Sequence, residues 1–172
     1  MARPRTHVLS ALPLAYFVSR RWGVAAAFGA FAGGVLIDGD HLVDYAWTRI
    51  SRERNHFIAP LHGWELAIGL VVLALSVRRR AEGERTPDRW LGRTRWGAWD
   101  KQTVADALSG AAAGMWLHMV LDVIGNRPEH VGVYSLLYRA RHRFHRESTG
   151  WSEETGFHYW SELPWYQWWK AF

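Results

Sequence analysis

His118 and Asp122 stand four residues apart in a stretch whose other members, from Gly110 to Gly125, are apolar or small. At i and i+4 on a helix they project from one face, so both can reach a single cation. Ionisable groups in such a segment are expensive without a partner. Two more clusters offer histidine and carboxylate at the edges of apolar runs: Asp38, Asp40 and His41 after one run, and His62 with Glu65 before another. The first cluster fits a helix cap facing water, but three such residues within four positions favour ligation. The second, at i and i+3, fits either ligation or a helix start favoured by the helix dipole. His7 suits a solvated or capping role as well as it suits a ligand. His56, His130, His142, His145 and His158 are expected on the surface, His142 and His145 within a basic run.

These donors are nitrogen and oxygen without sulfur, a set that suits zinc, manganese or iron(II) and disfavours calcium. Eight candidate side chains exceed the needs of one tetrahedral ion. A pair of ions bridged by a carboxylate such as Asp40 or Asp122 would use them more naturally than one.

Four apolar segments must position these groups: Val8 to Ser19, Trp22 to Ile37, Leu61 to Val77 and Val104 to Gly125. Only the fourth clearly has spanning length, about 20 residues. The first is too short to span and fits a buried or interfacial helix equally well. Small residues recur every fourth position. Ala25, Gly29 and Gly33 are flanked by Ala26, Ala30 and Gly34, while Gly110 and Gly114 lead into His118 and Asp122. Such stripes let membrane helices approach closely, offsetting the roughly 1 kcal/mol by which each helical glycine is disfavoured.

The expected fold is all-α: an antiparallel bundle of about four main helices, membrane-embedded, with a basic and aromatic C-terminal tail. If the helices run up, down, up, down, then His7, Asp38, Asp40, His41, His62, Glu65, His118 and Asp122 all fall at one end. The arginine-rich stretch 78–101 is expected to be a surface connection, with an amphipathic piece around Trp90, Trp96 and Trp99. The chain's 172 residues suit one domain, here a core over 1–126 and a tail over 127–172 that packs on it or on the membrane interface.

The net charge of +5 sits mostly on arginines between apolar runs. That suits anionic lipid headgroups at least as well as nucleic acid, and nucleic acid is disfavoured. Twelve tryptophans fit a membrane interface. The absence of cysteine excludes disulfides and thiolate ligands. The first apolar run lacks a small-residue cleavage site and is not expected to be a signal peptide.

At these residues the chain resembles small bacterial membrane-bound metal-dependent hydrolases, a family similar in motif pattern to zinc-dependent phospholipase C. The resemblance rests on Thr6-His7, on Gly34 to His41 and on Pro60 to Glu65. It continues through His118 to Asp122 and Tyr134 to Arg139, with Phe144 afterwards. It implies a helical fold, metal-ligand roles for His7, Asp38, Asp40, His41, His62, His118 and Asp122, and a role for Glu65. Many relatives carry a second histidine shortly after the one matching His62, where this chain has Glu65 and Leu66.

The expected activity is hydrolysis of an ester or phosphoester, of a lipid or lipid-linked substrate, with one or two divalent ions, zinc foremost. Glu65 is the candidate general base or water-orienting carboxylate, or equally a plain ligand or helix-start acid. Asp40 is the other candidate catalytic carboxylate. Arg139, Arg141 and Arg143 could hold a phosphate, although arginine runs more often face solvent or headgroups. The rival is a non-catalytic membrane protein with a structural metal and a partner-binding tail. The expected location is a bacterial inner membrane. Arg20, Arg21 and Arg78 to Arg80 favour the far end in the cytoplasm, and Arg49, Arg52 and Arg54 at the near end weaken that orientation.

Overall fold

Each of the four apolar runs becomes a long helix, and two shorter helices are added at one end. The computed structural model describes residues 4–51, 56, 58–83, 100–126 and 131–145. Expectations for Arg52, Arg54, Trp90, Trp96, Trp99, His130, His158 and the aromatic stretch 151–172 fall outside these residues. Helix α1 spans Pro4–Trp22, with proline at the first helical position, where its missing N–H costs nothing. Gly23, at φ +84°, turns the chain over, a conformation that favours glycine. Helix α2, Val24–Val35, follows and tightens into a 3-10 turn, Leu36–Asp40. Helices α3, His41–Ser51, α4, Trp64–Gly83, and α5, Lys101–Asn126, come next. A second 3-10 turn, Val131–Tyr134, leads to α6, Leu136–Arg141.

Glycine decides how the bundle closes. A Cβ on Gly110 would lie 1.9 Å from the carbonyl oxygen of Ala26, and one on Gly114 would lie 2.1 Å from that of Ala30. In return, Gly29 faces the Ala107 carbonyl at 2.0 Å and Gly33 the Ala111 carbonyl at 2.2 Å by the same measure. Backbone therefore meets backbone along two expected small-residue stripes. Both residue numbers rise together along the contact, so α2 and α5 run parallel. Helix α1 runs against α2, with Ala11 beside Gly34 and Val18 clustered with Ala26 and Ala30. Helix α4 runs against α5. Trp64 stacks near Trp116, with ring centroids 5.4 Å apart, while Arg78 bonds Asp106 at 2.9 Å near the opposite end. This is the up-down-up-down order inferred from the sequence.

The bundle's outer surface is apolar. Leu9, Leu12, Tyr16 and Phe17 on α1, Val24 and Phe28 on α2, and Ile68, Val72, Leu73 and Leu75 on α4 are all exposed. Among the described residues one helix, over Lys101–Gly125, is long and apolar enough to cross a membrane. At the far end Arg78 is not simply a headgroup-facing charge. It also bonds Ser109 at 3.0 Å and lies 5.1 Å over the Trp22 ring.

Three boundaries differ from expectation. His7 lies inside α1 instead of preceding it. Asp38 and Asp40 ride a 3-10 turn, and His62 sits in the loop before α4, so only Glu65 belongs to that helix. Part of the expected tail packs on the core. Val133 and Tyr134 are buried in one apolar cluster with Ile37, Ala59, Ala67, Met115 and Met119.

Candidate metal centre

Five elements deliver the donors to one place, α3 contributing His41 at its first position. Helix α1 brings His7, the 3-10 turn brings Asp38 and Asp40, the 58–63 loop brings His62, and α5 brings His118 and Asp122. The glycine zipper explains the position of His118. It lies four residues beyond Gly114, opposite Gly34, and its Nδ1 donates to the Gly34 carbonyl at 3.0 Å. That bond leaves the Nε2 lone pair facing inward. His62 is oriented in the same way, with Nδ1 donating to Asp40 Oδ1 at 2.9 Å. Carboxylate and carbonyl partners of this kind set the tautomer and aim of metal-binding histidines.

The consequence is unusual for bare side chains. The two Nε2 atoms, each an acceptor by this tautomer, lie 3.0 Å apart. Asp38 Oδ1 is 3.4 Å from each of them, and Asp122 Oδ2 is 3.3 Å from His62 and 3.5 Å from His118. With bonds of about 2.0–2.1 Å, two donors on one tetrahedral ion stand roughly 3.3 Å apart, and neighbouring donors on an octahedral ion about 3.0 Å apart. All five separations match edges of a coordination polyhedron.

Asp122 faces two ways. Its Oδ1 lies 3.2 Å from His7 Nε2, while Oδ2 faces His62 and His118. His7 is buried, and beyond the approach of its Nε2 to Asp122 neither ring nitrogen has a hydrogen-bond partner among the described residues. A buried imidazole without a bond carries a desolvation cost that a cation would relieve. Three overlapping groups of donors, His7 with Asp38 and His118, Asp38 with His41 and His62, and His62 with His118 and Asp122, each lie within 4.8 Å of one another.

The charge balance points the same way. Burial alone would raise the pKa of Asp40, yet the hydrogen bond and positive potential of His62 and the Leu61 N–H hold it below the usual carboxylate range. Asp38 is lowered, against burial, by His62, His118 and His41. Burial would depress His62, but its bonds to Asp122, Asp38 and Asp40 push it well above the ordinary histidine value. Asp38, Asp40 and Asp122 thus gather three carboxylates around His62, a concentration of acceptors that suits a cation.

Not all the expected residues join the cluster. Asp40 is not placed as a bridge: Oδ1 holds His62, and Oδ2 accepts the N–H groups of Leu61 at 2.6 Å and His62 at 3.2 Å. Glu65 is absent from the converging groups of described residues. It accepts from the Ser135 hydroxyl, from Leu136 N at 2.9 Å and from Leu137 N at 3.2 Å, so it caps the start of α6. Arg139, expected to hold a phosphate, is fully buried and donates to the carbonyls of Ile58, Ala59 and His62. Arg141 and Arg143 are exposed. The partners of Glu65 and Arg139 carry no spacing signal, because they are mostly backbone groups some seventy or eighty residues away in sequence.

The site has a dry floor and a wetter edge. The His118 side chain is 0% exposed and that of His62 1%, whereas Asp38 is 19% and His41 11% exposed. Compared with models of protein families, with curated proteins and with solved structures, the chain finds no match.

Proposed function

We propose that this protein is a membrane-bound, divalent-metal-dependent hydrolase of an ester or phosphoester carried by a lipid or lipid-linked substrate. The observation carrying this reading is that Asp38 Oδ1 and Asp122 Oδ2 each stand at ligand–ligand spacing from His62 Nε2 and His118 Nε2, with both histidines pre-aimed by other groups. Nitrogen and oxygen donors favour zinc, with manganese and iron(II) as alternatives. The split between the two oxygens of Asp122, with His7 on one side, suits a second ion beside the first.

Such ions act as Lewis acids and lower the pKa of water toward neutrality. The chain's own contribution is orientation and access. Gly34 and Asp40 hold the imidazoles, the buried floor excludes water, and Asp38 and His41 form the side from which substrate can approach. A structural metal would instead be closed off by its ligands. Leu36, Leu42 and Leu61, chain neighbours of these residues, are exposed, so the approach is apolar as well as charged. That combination fits an amphiphile. The apolar exterior of α1, α2 and α4 inverts the pattern of a protein surrounded by water, where large contiguous apolar surfaces are rare.

Elemental analysis of the detergent-purified protein tests the centre, with one or two equivalents of metal expected. Hydrolysis of a panel of phospholipids and polyprenyl phosphates by metal-replete protein tests the activity. Substoichiometric metal after loading would overturn the reading. Full metal with no turnover of any panel member would shift the role of the ion to stapling the bundle.

A further inference from the structure

The loop that presents His62 is gripped from two sides by opposite charges. On one side Asp40 takes the N–H groups of Leu61 and His62 as well as the His62 ring. On the other side the Arg139 guanidinium takes the carbonyls. Its Nη1 donates to Ile58 O at 2.8 Å and Ala59 O at 3.2 Å, and its Nη2 to Ala59 O at 3.2 Å and His62 O at 2.8 Å. Ala59 is held at φ +26°, a backbone conformation that alanine adopts only when its surroundings impose it. The fork of the guanidinium spans several acceptors at fixed geometry, which an ammonium cannot do.

The helix carrying Arg139 is itself fastened beside the site. Glu65, three residues after His62, receives the Ser135 hydroxyl and the first N–H groups of α6. Helix α6 is thus tied to the chain on both sides of His62, at 58–62 through Arg139 and at 65 through its own N-terminus.

We propose that Arg139 is a positioning residue for the metal centre, setting the place of His62 Nε2 by holding the 58–62 carbonyls, with Glu65 fastening the helix that carries it. This rests on the metal-binding reading above. Arg139 holds the loop carbonyls, and its effect on the centre passes through the loop. Loss of the guanidinium removes its bonds to three carbonyls and lets His62 move relative to His118.

Cobalt(II) binding to the full chain in detergent tests this, because its visible d–d bands report ligand geometry as well as occupancy. Arg139→Met and Arg139→Lys are compared with wild type and with Arg141→Met, an exposed change on the same helix. Arg139→Met should bind cobalt about 10–100-fold more weakly, the usual scale for losing an outer contact to a ligand, with a shifted d–d spectrum. Arg139→Lys should fall between it and wild type, and Arg141→Met should match wild type. If Arg139→Met does not fold, Arg139→Lys alone decides, since it keeps the charge but not the fork. Wild-type affinity and spectrum in the Arg139 variants would overturn the positioning role and leave the metal centre standing. Failure of wild type itself to bind cobalt would remove the centre and the inference together.

Discussion

Gly114→Ala tests how the bundle holds its site. The added methyl would sit 2.1 Å from the Ala30 carbonyl oxygen and 2.8 Å from Gly34 N. Neither neighbour can rotate away, because both are helix backbone. Helices α2 and α5 must part by about 1 Å to restore a tolerable carbon–oxygen contact. Overpacking of this kind costs about 1–3 kcal/mol, partly offset by the roughly 1 kcal/mol by which alanine favours a helix over glycine. The same displacement acts one turn further on. His118 Nδ1 is 3.0 Å from Gly34 O, and an extra 1 Å or so takes the pair outside hydrogen-bond range. Metal affinity should therefore fall about 10–100-fold. Gly69→Ala is the control, since a Cβ there meets nothing within 4 Å; it should be at least as stable as wild type, with unchanged affinity. Thermal unfolding in detergent and chelator competition measure the two effects. If Gly114→Ala matches Gly69→Ala in both, the backbone contact does not position the histidine.

His118→Ala and Asp122→Ala should each lower bound metal and reduce stability, because the remaining donors stay buried without a partner. His142→Ala, whose Nδ1 bonds the Tyr138 carbonyl at 2.8 Å, should keep wild-type metal, and equal loss in all three would indicate general unfolding. Asp40→Asn keeps one oxygen for the N–H groups of Leu61 and His62 but sets an amide N–H against His62 Nδ1, so the ring can no longer donate there. It should weaken metal binding about 10–100-fold, and chelator competition that finds wild-type affinity would remove Asp40 from the support of His62. The protein should pellet with membranes and resist alkaline carbonate, and a monodisperse soluble form without detergent would refute the membrane reading.

The helices, their alternation and most of the side chains that converge follow from the sequence alone. Long apolar runs broken by arginine clusters and Gly23 mark α1, α2, α4 and α5, and the fourfold spacing of small residues anticipates the contact of α2 with α5. His118 and Asp122 are legible because i, i+4 spacing places both on one face whatever surrounds them. Given alternating helices, one end collects His7, Asp38, His41 and His62 as well. What each remaining group does was decided by tertiary contact. Asp40 and Glu65 look alike as acids near histidines, yet one orients His62 and the other caps α6. Arg139 belongs to a basic run in the sequence, but folding buries it under the loop of His62. Periodicity reports which face a residue occupies, whereas hydrogen-bond partners distant in sequence are chosen only when helices dock and buried donors must find acceptors.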